Sequence, residues 1–141
     1  MAMSARRAAL YGAMSRLLSV PTRRVDELME LVDDPSCWHL GPWEGSWTIR
    51  VPPEPTLGKA FIQFLRLPPG ATLPMHPPGE EHVLVLEGDF DGGPGLRLDE
   101  GGLCLSIPGA LRRPLRAGPR GVMCLVVHQR RRPESQVAAG A

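Results

Sequence analysis

Cysteine is scarce in this 141-residue chain, and its three copies, Cys37, Cys104 and Cys124, include no CxxC pair. An odd, scattered set excludes a disulfide framework or a zinc knuckle and reads as reduced intracellular thiols. Excess charge is lacking as well. The formal net charge is +1, too small for a protein held on nucleic acid by bulk electrostatics. No apolar run approaches the ~18 residues of a spanning helix, and the start, MAMSARRAAL, lacks the apolar stretch of a secretory signal. The expectation is a soluble cytoplasmic protein with neither nucleic acid nor membrane as partner. Lysine is nearly absent too, Lys59 being the only one among 16 basic residues; nothing structural explains that skew.

Glycine and proline are abundant, 16 of each. Together they are about 23% of the chain, close to the range of low-complexity disorder. Leu, Val, Ile and Phe nevertheless make up about a quarter, more than a disordered chain carries. The composition therefore reads as one folded domain, rich in turns, that buries roughly two thirds of its unfolded surface.

Residues 4–18 and 20–33 read as helices. In the second, Val25, Leu28, Met29 and Val32 recur at i, i+3, i+4 and i+7 and form one apolar stripe. Ser19 is placed to cap it, with Pro21 in the first turn and Pro35 closing it. Leu10, Met14, Leu17 and Leu18 repeat the stripe in the first helix. A helix pair this short must bury such stripes against its own domain or a partner.

After Pro35 the pattern changes. Short apolar runs recur every 10 to 15 residues: WTIRV (47–51), AFIQFLRL (60–67), EHVLVLEGDF (81–90), LCLSI (103–107) and GVMCLVV (121–127). Turn sequences LPPGA, DGGPG and AGPRG lie between them. Many short strands with turn signals at that spacing point to an all-β sandwich or barrel. Trp38, Trp43 and Trp47 read as packing at the barrel mouth. The division is a helical extension at 1–35, a β-barrel at 36–128 and a disordered tail at 129–141.

The informative segment is GATLPMHPPGEEHVLVLEG, residues 70–88: Gly70, five residues, His76, one residue, Pro78, two residues, Glu81, six residues, Gly88. A second segment runs Gly101, five residues, Ile107, Pro108, Gly109, two residues, Arg112, then Pro114. The pair resembles the two motifs of the cupin superfamily, and EHVLVLEGDF resembles most the cupin of ChrR-type anti-sigma factors. The resemblance covers about residues 36–128 and implies a mainly β fold, a jelly-roll-like antiparallel barrel with a helical N-terminal extension. It also implies four metal-ligand positions, two His spaced to point inward from one strand, a Glu and a third His. Here they read His76, Pro78, Glu81 and Arg112. Proline offers no ligand atom, and a guanidinium repels a divalent cation.

Two readings follow. In the first the protein is a stand-alone, non-catalytic cupin without cofactor. It binds a small, anionic ligand through Arg112, Glu81 and His76, or a protein partner, in a regulatory role. An Arg112–Glu81 ion pair filling the old metal site is the bland form of that reading. The alternative is a metal-dependent, dioxygenase-type enzyme with a rearranged iron, manganese or zinc site. Its ligands are His76 and Glu81, with His128, at the end of the last run, as a third that the spacing does not require. His82 follows Glu81 directly and points to the opposite face of a strand. No nucleophile elbow or phosphate loop is present. ChrR-type proteins carry an N-terminal zinc domain with a His and a CxxC pair; residues 1–35 hold no Cys or His, so sigma-factor binding is not carried over. Open barrel edges and the helix stripes admit a homodimer.

Overall fold

The computed structural model describes residues 5–41, 43–51, 60–73, 80–105 and 114–129. Two helices, α1 (Ala5–Leu18) and α2 (Thr22–Asp33), precede a single 3-10 turn at Pro35–Cys37. The strands are β1 (His39–Leu40), β2 (Trp47–Val51), β3 (Ala60–Leu67), β4 (Thr72–Leu73), β5 (Glu80–Asp91), β6 (Arg97–Leu98), β7 (Leu103–Cys104) and β8 (Leu115–Gln129).

The helix stripes are spent within the chain. Val25, Leu28, Met29 and Val32 are all buried. Met14 and Leu18 are buried with them, and Tyr11, which the apolar pattern passes over, is only 6% exposed. These side chains share one cluster with Ile49, Phe64, Leu84 and Leu125 of the sheet. The α2 stripe is thus covered by the domain itself, while Leu10 and Leu17 of α1 stay half-buried.

Ser19 does not cap α2. It lies just past the end of α1 with a φ of 56°, and the Val20 N–H reaches back to the Ser15 carbonyl at 3.1 Å. That bond closes a helix whose next residue is left-handed, a place that favours glycine. Pro21 takes the N-cap position of α2, with no side-chain hydrogen bond. Ser19→Gly is therefore expected to stabilise the protein by about 0.5–1 kcal/mol, a rise of a few degrees in Tm. A lower Tm contradicts the left-handed assignment.

The sheet runs in the order β1-β2-β3-β8-β5-β6, with β4 also beside β8 and β7 also beside β5. Every pairing is antiparallel. Among the described residues the hydrogen-bonded path stays open, so the expected barrel is a curled sheet rather than a closed ring. The runs at 47–51 and 60–67 coincide with β2 and β3, and LCLSI begins as the strand Leu103–Cys104, its last two residues lying outside the described ones. AGPRG is not a turn between strands: it lies inside β8. β5 and β8 pair from Glu80↔Gln129 to Asp91↔Arg116, with register shifts between Val85 and Glu87 and between Gly88 and Phe90. At the second shift Asp89 stands opposite residues 118–121, and this bulge absorbs the Gly-Pro sequence without ending the strand.

The alternation of β5 and β8 explains their unbroken apolar runs. Leu84, Leu86, Leu125 and Val127 face the helices. Val83, Val85, Cys124 and Val126 face the inside of the curl, with Phe90, Leu98 and Leu115. Both faces are buried, so both residue parities must be apolar. These residues form the second core cluster, packed on the inner face of the sheet, the lumen face.

Candidate functional site

Among the described residues four polar or charged ones are buried: Ser46, Thr48, Glu81 and Asp89. A buried polar group is costly unless paired. Asp89 is paired with Arg97 at 3.0 Å. The Ser46 hydroxyl donates to the Trp43 carbonyl at 2.6 Å, and that of Thr48 to the Phe64 carbonyl at 3.1 Å. Glu81 differs, because the group beside it is titratable. Its Oε2 lies 3.6 Å from Nδ1 of His128, directly opposite it in the β5–β8 register.

Parity puts both side chains in the lumen. Glu81 continues Val83 and Val85, and His128 continues Cys124 and Val126. Gln63 shares the face as the neighbour of Leu65 two residues on. Its Oε1 lies 3.4 Å from Nε2 of His128, and its Nε2 donates to Thr48 Oγ1 at 2.9 Å. Thr48, Gln63, His128 and Glu81 thus form a polar diagonal across the adjacent strands β2, β3, β8 and β5.

The diagonal has a direction. The Thr48 hydroxyl proton is committed to the Phe64 carbonyl, so Thr48 accepts from the Gln63 amide. The Gln63 carbonyl oxygen then faces His128 and accepts a hydrogen bond from its Nε2–H. Nδ1 of the same ring faces the Glu81 carboxylate, a contact that is an ion pair whenever the imidazole is protonated.

His76 and Arg112, the other site residues expected from sequence, lie outside the described residues, as do Pro78 and Gly109. His82 lies on the opposite face from Glu81 and is half-buried; His39 is exposed on β1. The three tryptophans separate: Trp38 donates to the Val32 carbonyl at 3.0 Å under the helices, Trp43 packs at the lumen, and Trp47 is exposed. Burial, with the Asp34 carboxylate acting in the same sense, pushes the Cys37 thiol up, away from a reactive thiolate. Sequence spacing passed over Gln63 and Thr48. The available signal was Gln63, a polar residue on the inner face of a strand whose following inward residues, Leu65 and Leu67, are apolar.

A metal ion fits this site only in part. Two ligands of one tetrahedral ion lie about 3.4 Å apart, close to the Glu81–His128 spacing of 3.6 Å. Among the described residues, however, no group of three or more His, Cys, Asp or Glu could hold an ion, and two donors do not make a centre. Nor is any helix there long and apolar enough to cross a membrane.

An antiparallel sheet of this order, curled over an apolar inner face, is that of the cupin fold, and similar solved structures bear this out. The Cupin 2 conserved barrel domain protein of Salinispora arenicola CNS-205 is 17% identical and superposes with a TM-score of 0.54, over 73% of this chain and 91% of that one. The complex of SigE with the anti-sigma ChrR from Rhodobacter sphaeroides contains a chain 24% identical, with a TM-score of 0.54 over 70% of this chain. This chain matches only 50% of that chain's length. An acetylacetone dioxygenase from Acinetobacter johnsonii is 12% identical, with a TM-score of 0.56 over 68% of this chain and 70% of its own. No family model and no curated protein matches the sequence.

Proposed function

We propose that this chain is a non-catalytic, cytoplasmic cupin-fold binding protein that takes a small organic acid in its lumen and serves a regulatory role. One observation carries the reading: a buried carboxylate, Glu81, lies 3.6 Å from the His128 imidazole on the otherwise apolar inner face. A ligand's polar group would meet this ionisable pair, with the Gln63–Thr48 diagonal holding the imidazole in orientation. Arg112 and His76 are assigned to the ligand's carboxylate, a role suited to a guanidinium fork.

The test is thermal unfolding in a panel of C2–C6 carboxylic and hydroxycarboxylic acids. Saturating a site at about 100 times its Kd adds about 2.7 kcal/mol, a clear rise in Tm. The expected result is a rise with at least one acid, lost in both Glu81→Gln and Arg112→Gln. Failure of every acid, or a rise that survives both substitutions, counts against the reading.

A second reading is favoured by the 3.6 Å donor spacing itself: a metal-dependent enzyme of dioxygenase type, with His76 as the third ligand beside Glu81 and His128. It predicts bound iron, manganese or zinc, which the first does not.

A further inference from the structure

The helical layer leaves part of the sheet's outer face uncovered. A cavity of about 760 Å³ opens there, walled by Leu10 and Ala13 of α1, Met29 of α2, Trp38, and Leu86 and Met123 of the sheet. Its size is that of a small-molecule site, roughly 300–1,000 Å³. It lies on the opposite side of the sheet from Glu81 and His128.

The rim is charged, and its charges are unequally engaged. Arg7 is held by Asp33 at 3.0 Å and by the Tyr11 hydroxyl at 3.2 Å. Arg66 lies over the Trp38 ring, 4.7 Å from its centroid. Neither Arg66 nor Arg16 makes an ion pair among the described residues. Stacking uses the flat face of a guanidinium and leaves its N–H edge free to donate. Trp38 is itself fixed through Val32, so the guanidinium is held in place before any ligand arrives. A further cavity of about 330 Å³ shares Arg66 and Met123 and adds Arg120. Glu87 and Glu100 border both. The first β5 bulge places Glu87 opposite Met123, on the side of the groove.

We propose that this groove binds a free amphipathic carboxylic acid, its hydrocarbon chain on Leu10, Met29, Leu86 and Met123 and its carboxylate on Arg66. The inference is independent of the lumen reading. Arg66 supplies the fixed donor edge, Arg16 and Arg120 add positive potential, and Glu87 opposes the anion and limits its affinity.

Calorimetric titration of the full chain with decanoate, below its micelle concentration, tests this. Saturable one-to-one binding is expected, weakened about tenfold in Arg66→Gln, strengthened severalfold in Glu87→Gln and unchanged in Glu81→Gln. Acetate, which has the charge without the chain, is expected not to bind. Absence of saturable heat overturns the proposal. So does equal affinity in wild type, Arg66→Gln and Glu87→Gln, which marks non-specific adsorption. Loss in Glu81→Gln alone places the acid in the lumen and overturns it as well. Glu87 is exposed, so its variant remains informative if Arg66→Gln folds poorly.

Discussion

Gly88→Ala is expected to destabilise the protein by about 3–5 kcal/mol, lowering Tm by more than ~10 °C. Gly88 has a φ of 81°, and an added Cβ would stand 2.2 Å from the Gly121 carbonyl oxygen and 3.0 Å from Val122 Cα. Both are backbone atoms of β8 and cannot rotate away. The methyl would therefore push apart the two longest strands at the bulge that lets them bend. Gly95 is the control, with a φ of 80° and nothing within 4 Å of its added Cβ. Gly95→Ala carries the left-handed backbone penalty alone, about 1–2 kcal/mol. Equal melting curves for the two variants would contradict the close approach at Gly88.

Leu28→Ala is expected to cost about 2–5 kcal/mol and to lower the melting of the whole domain in one transition. Leu28 is fully buried and belongs to the cluster that joins α2 to β2, β3, β5 and β8. Deleting its side chain leaves a cavity in the layer on which the outer face of the sheet depends. Were the helices a separate module awaiting a partner, the sheet would melt unchanged in this variant. Urea unfolding followed by near-UV and far-UV circular dichroism distinguishes the two outcomes.

The sequence made legible whatever depends on local pattern. The 3.6-residue stripe of α2 appears intact as its buried face, because four of its five apolar residues fall on one side of the helix. Gly70, Gly88 and Gly101, placed by motif spacing, all take left-handed φ values, 77°, 81° and 82°. Only glycine adopts that conformation without strain. Ser19 misled because a serine before a helix signals a cap, yet Pro21 starts α2 two residues later and leaves Ser19 to end α1. AGPRG misled because glycine and proline mark a bulge in a long strand as readily as a turn.

The candidate site was only half legible. Glu81 stood out by its place in the motif. His128 was a third thought, since nothing near it in sequence names its partner. Its link to Glu81 comes from the β5–β8 register, and its link to Gln63 and Thr48 from a diagonal across β3 and β2. Residues 48, 63, 81 and 128 meet through strand order, which spacing along the chain does not encode.

The proposed function requires the inner face of the sheet to serve as a ligand site rather than a metal centre. Elemental analysis of protein purified without chelators or metal-affinity resin tests it most directly. Folded protein with iron, manganese and zinc each far below one ion per chain is expected, with no change in content on Glu81→Gln. Near-stoichiometric metal in the wild type that disappears in Glu81→Gln and His128→Ala would contradict it.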